Sequence, residues 1–77
     1  MSFQELDVVV LDRDLPGHGL RKGDLGTVVQ LYGSDGLELE FVRASGRTEA
    51  CLSLAVADVR PIGDGDLLAV RRIDSPA

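Results

Sequence analysis

Seventy-seven residues make one domain with one core, because a chain this short buries only about 60% of its unfolded surface. At 44% hydrophobic and 27% charged, the composition is that of a folded globular chain rather than a disordered one. A formal net charge of −5, from 8 basic and 13 acidic side chains, disfavours nucleic acid, and no apolar run approaches the ~18 residues that a membrane-spanning helix needs.

The start, Met1-Ser2-Phe3-Gln4-Glu5, lacks the basic-then-apolar pattern of a signal peptide. A single cysteine, Cys51, cannot form an internal disulfide, so packing must supply the stability and a cytoplasmic location is expected. Val8–Leu11 is a short β-branched run that reads as a first strand. From Asp12 to Lys22 the chain holds Pro16, Gly17 and Gly19 without helical periodicity, which predicts a long loop with Leu15 and Leu20 folded back on the core. That loop carries Arg13, Arg21 and Lys22 against Asp12 and Asp14, three positive charges against two negative, in an otherwise acidic chain.

Leu25–Tyr32 reads as the second strand, ended by the turn residues Gly33-Ser34-Asp35-Gly36. Val28 and Leu31 have opposite pleat parity, so a bulge or sharp twist near Val29 and Gln30 is required if both face inward. Leu37 to Val42 alternates with period two, which puts Leu37, Leu39 and Phe41 on one face and Glu38 and Glu40 on the other. The four-residue loop Arg43–Gly46 then starts a hairpin. Pairing Val42 with Arg47 sets Phe41 opposite Thr48, Leu39 opposite Ala50 and Leu37 opposite Leu52, with Glu40 facing Glu49 across the outer face. A short connection over Leu54–Asp58, with one 3₁₀ turn, leads to a final strand at Val59–Ile62. Leu67–Ile73 reads either as an added strand or, with Asp66 as N-cap, as a two-turn helix; its apolar content and its Arg71-Arg72 end favour the strand. Asp74–Ala77 reads as a frayed tail. The expected core comprises Leu6, Val8, Val10, Val28, Leu31, Leu37, Leu39, Phe41, Leu52, Leu54 and Val59.

Five short strands, a long first loop, two tight hairpins and a short turn before the last strand resemble a small five-stranded SH3-like barrel. Within it, Gly23-Asp24-Leu25-Gly26-Thr27-Val28-Val29-Gln30-Leu31 resembles the glycine and valine pattern of KOW motifs. From Leu6 to Ile62 the chain is also similar to a bacterial family of small proteins described as domain of unknown function 4926. The residues that carry this likeness are Glu5–Leu11, Asp14–Leu20, Gly23–Val29 and Asp58–Pro61. The resemblance implies an all-β SH3-like barrel over 1–62, with 63–77 as a C-terminal extension, and brings no activity, cofactor or catalytic residue. KOW modules that touch RNA are typically basic on their loops, and this chain, with one lysine and seven arginines against thirteen acids, departs from that.

Candidate chemistries are few. His18 is the only histidine, and a metal centre or triad needs partners that the sequence lacks. Cys51 is expected to face outward among carboxylates, which raise a thiol pKa. Glu38 and Glu40 stand about 7 Å apart along a strand, a separation that superficially passes for an acid/base pair, but alternating acid and leucine is how a half-buried strand solubilises its outer face. Asp64 and Asp66, like Asp12 and Asp14, lack the further ligands of a calcium loop. No catalytic residue, metal or cofactor is therefore expected. Two features survive: the loop with Arg13, His18, Arg21 and Lys22, and the acidic face with Glu38, Glu40 and Glu49. They lead to a non-catalytic module that binds a protein partner, such as a regulatory subunit or the neutraliser of another small protein. An RNA- or ribosome-associated KOW-type module is the alternative.

Overall fold

The computed structural model describes residues 2–73. Five antiparallel strands, β1 (Val8–Leu11), β2 (Leu25–Tyr32), β3 (Gly36–Val42), β4 (Thr48–Ala55) and β5 (Val59–Pro61), form one sheet in the order β4-β3-β2-β1-β5. Short 3₁₀ turns occupy Pro16–His18 and Val56–Asp58. The strand order is SH3/KOW-like, but the sheet is open and the expected closed barrel is not formed. β4 and β5 lie at opposite edges with no ladder between them. The shortness of β5 is the physical reason: three residues pair with β1, and Pro61 offers no N–H with which to continue.

Leu67–Ile73 is neither strand nor helix, which corrects the expected sixth strand. Side-chain anchors hold this part of the chain instead of a ladder. Asp66 accepts the Gly63 N–H at 2.6 Å and hydrogen bonds from Nη1 and Nη2 of Arg60 at 2.9 Å each. Further on, Arg71 reaches back to Asp24 and to the Gly19 carbonyl. Leu67 and Val70 are left 91% and 99% exposed. The tail expected at Asp74–Ala77 lies outside the described residues.

Val28, Leu37, Leu39 and Phe41 are buried as the alternation predicts, with Leu52 and Leu54 packed against them and partly buried. On β1 the core face is Val9 and Leu11, not Val8, which is 46% exposed. A run of four apolar residues carries no alternation, so its parity is fixed only by its neighbours: Leu11 pairs with Val59 and donates to the Asp24 carbonyl. Val10 is buried but lies outside the main cluster, as its opposite parity requires. Leu6 is not in the core either. The turn Gln4–Asp7 places it at φ 72°, 78% exposed, with its N–H on the Val28 carbonyl. Leu15 and Leu20 close the base of the long loop through paired backbone hydrogen bonds and reach the core.

Of the bulge or sharp twist required by parity, it is the bulge that is present, as the β2–β3 register slips between Val28 and Gln30. It turns Leu31 to the same side as its partner Leu37, yet beyond the core, where Leu31 stays 38% exposed. A second bulge, between Phe41 and Val42, shifts β3 against β4: Phe41 pairs with Ala50, Leu39 with Leu52 and Leu37 with Leu54. The expected register is thus two residues out. A two-residue shift keeps every side chain on its face, so the core is unaffected and the outer face is rearranged. Among the described residues, no helix is long and apolar enough to cross a membrane.

Candidate functional site

The outer face of β2–β3–β4 is built by pleat alternation, since the residues between the buried positions of β3 are Glu38 and Glu40. The observed register sets Glu40 opposite Cys51 and Glu38 opposite Ser53, which corrects the expected Glu40–Glu49 pairing. Glu49 sits beside the β3–β4 bulge, and its carboxylate meets Arg43 Nε at 2.6 Å. The acidic trio read from sequence is therefore a pair.

Around this pair stands a ring of neutral donors. The hydroxyls of Tyr32 and Ser53 donate to Glu38 Oε1 at 3.0 and 3.4 Å, the Cys51 thiol lies 3.4 Å from Glu38 Oε2, and the Thr48 hydroxyl donates to Glu40 Oε2 at 2.6 Å. Hydrogen bonding to Glu38 raises the Tyr32 pKa. Burial, followed by the hydrogen bond and charge of Glu38, pushes the Cys51 thiol up and holds it as a poor nucleophile. Among the described residues, no Lys or Arg forms an ion pair with Glu38 or Glu40.

The loop of Arg13, His18, Arg21 and Lys22 comes together differently from the expectation. Arg13 Nε is 2.9 Å from Asp58, and Lys22 Nζ lies 3.9 Å from Asp12 while its N–H bonds to Asp14. Arg21 donates its N–H to Asp24, and exposed His18 closes the 3₁₀ turn by donating its N–H to the Leu15 carbonyl. Cations of this loop thus face acids of the same chain. Sequence reasoning missed the clamp on this loop, in which Arg71 Nε and Nη2 bind the two Asp24 oxygens at 2.7 and 2.6 Å. Forty-seven residues separate the partners, and no local pattern announces such a contact. It closes one wall of a groove of about 330 Å³, lined by Leu20, Leu25, Phe41 and Val42 together with Ala69, Val70 and Ile73. The neutral ring around Glu38 was also missed, though Tyr32, Ser53 and Cys51 were legible as its neighbours once the register was known.

No group of three or more metal-ligating side chains occurs among the described residues. Neither a curated protein nor a solved structure matches the chain. The model of one family, described as a domain of unknown function (DUF4926), matches residues 5–61, and with most of its length inside that match the chain belongs to this bacterial family.

Proposed function

We propose that this protein is a non-catalytic, cytoplasmic binding module that acts as a regulatory or accessory partner of another protein. Its docking surface is the outer face around Glu38 and Glu40, and its ligand is a basic segment of that partner. One contrast carries the reading. Four other acids of the fold are each matched by an arginine, Asp24 by Arg71, Glu49 by Arg43, Asp58 by Arg13 and Asp66 by Arg60. Among the described residues, Glu38 and Glu40 receive only neutral donors, as the turn and loop acids Asp7, Asp14 and Asp35 do, but they stand side by side on one sheet face.

Hydroxyls fix the two carboxylates in place without neutralising them, so an incoming guanidinium or ammonium meets acceptors already oriented. The net charge of −5 adds long-range attraction for a basic partner and repels phosphate. A raised thiol pKa at Cys51 supports binding over nucleophilic catalysis. The loop is demoted from the main contact to a rim, since much of its charge is internally matched.

Purification of the tagged full-length chain from its own cells, with mass spectrometry and nucleic-acid staining, tests this. A basic protein is expected to co-purify, and Glu38→Gln with Glu40→Gln should weaken its capture at least tenfold, while Arg13→Glu with Lys22→Glu changes capture far less. RNA eluting in a salt-sensitive manner, or capture indifferent to the Glu38/Glu40 double variant, would show the reading to be wrong.

A further inference from the structure

The two edges of the open sheet are unequal. β5 is guarded by its three-residue length and by Pro61. β4 is eight residues long, contains no lysine or proline, and among the described strands pairs only with β3. Its ends are closed off, by the bulge around Glu49 at one end and by the Ala55 N–H, which donates to Asp58 Oδ2 at 3.1 Å, at the other. Between them Ala50–Leu54 presents a bare backbone edge, and Ala50, Leu52 and Leu54 are only partly buried where the core stops. Natural sheets blunt an edge of this kind or pair it.

We infer that β4 pairs antiparallel with β4 of a second copy of this chain, about a two-fold axis at Leu52. In an antiparallel pair opposite residues share a face, so a self-paired strand has its axis through a residue, and Leu52 is the centre of the open window. That axis puts Leu52 against Leu52, Ala50 against Leu54, and Cys51 against Ser53 of the second copy. Apolar meets apolar on the core side and small polar meets small polar outside. No charge faces a like charge, because the one ionised residue of β4, Glu49, lies outside the window and is matched by Arg43. Self-pairing thus continues the core of each copy across the axis and caps the half-exposed leucines.

Sedimentation of the full chain over a concentration series tests this. The mass should rise with concentration toward twice that of one chain. Cys51→Lys with Ser53→Lys sets lysines opposite lysines across the axis but beside Glu38 and Glu40 within each copy, so circular dichroism should show the sheet intact while the dimer is lost. Ser53→Cys independently places a thiol opposite Cys51 of the second copy, and mild oxidation should yield a covalent dimer, since two thiols at i and i+2 on one strand, about 7 Å apart, cannot join. A monomer mass up to roughly 1 mM, where even a millimolar dissociation constant registers, overturns the inference. So does a dimer that survives the double-lysine change, or a Ser53→Cys variant that gives no cross-link.

Discussion

Gly26 is the glycine with the tightest surroundings. A Cβ there would stand 3.0 Å from Cε1 and 3.1 Å from Cζ of Phe41, a ring that is 3% exposed. Elsewhere in a strand an alanine outperforms glycine, so a loss on this substitution isolates the steric term. Gly26→Ala should destabilise the fold by about 1–3 kcal/mol in denaturant melts, the usual cost of overpacking a filled core. In a Phe41→Leu background the same change should cost much less, because the ring it strikes has gone. Equal costs in both backgrounds would show that the ring and Gly26 are not coupled. The close approach also explains why the KOW-like segment carries glycine at this position: β2 passes the largest side chain of the core there.

At the scale of elements, β2 was legible residue for residue, and the opposite parity of Val28 and Leu31 pointed to the place where its bulge lies, as a bulge or a sharp twist. The β3–β4 hairpin was legible in its turn, where Gly46 at φ 92° donates to the Arg43 carbonyl, but not in its register. Its bulge leaves no trace in the hydrophobic pattern, since both registers keep the same faces. That is why the core was read well from these strands while the contacts of Glu40 and Glu49 were not. The turn at Gly63–Asp66 was missed as a stable unit because a guanidinium six residues away builds it. Hydrogen bonds from Arg60 and then the Gly63 N–H lower the Asp66 pKa to about 2, below the ~3.9 of an unfolded aspartate. With the folded value depressed, the stabilisation is complete above ~3.9 and is lost as the pH falls through about 2. A titration followed by NMR should show the Gly63 amide resonance moving with a midpoint near 2, and Asp66→Asn should abolish that step. A midpoint near 4 would mean that the turn does not hold Asp66 in solution.

Over the whole molecule, the open sheet leaves tertiary stability to contacts that are distant in sequence, among them the β1–β5 ladder and the reach of Arg71 back to Asp24 and Gly19. Whether a sheet closes depends on its last strand and on how the chain beyond that strand is anchored. Neither is encoded in local periodicity, so the apolar run Leu67–Ile73 reads as a strand in sequence although long-range anchors hold it without a ladder. Asp24 is a joint: its carbonyl accepts the Leu11 N–H at the end of β1, and its carboxylate accepts the Arg21 N–H at the foot of the long loop. Burial pushes this carboxyl up, but the Arg71 hydrogen bonds, the Arg21 N–H and the charges of both arginines outweigh it and hold the pKa below its usual value. Arg71 also donates to the Gly19 carbonyl, so one side chain from the C-terminal segment ties down both ends of the Gly19–Asp24 stretch. Arg71→Gln should therefore act locally. Global stability should fall by only about 1 kcal/mol, the scale of a partly exposed ion pair, because the sheet and core contacts are untouched. Amide exchange at Arg21 and Asp24 should accelerate several-fold, while that at Val28 and Leu39 follows only the small global change. Truncation after Ile62 should reproduce the acceleration at the same two amides. If both variants leave Arg21 and Asp24 as protected as in the full chain, the β1 and loop hydrogen bonds hold that joint without the clamp, and the C-terminal segment contributes nothing to the order of the loop.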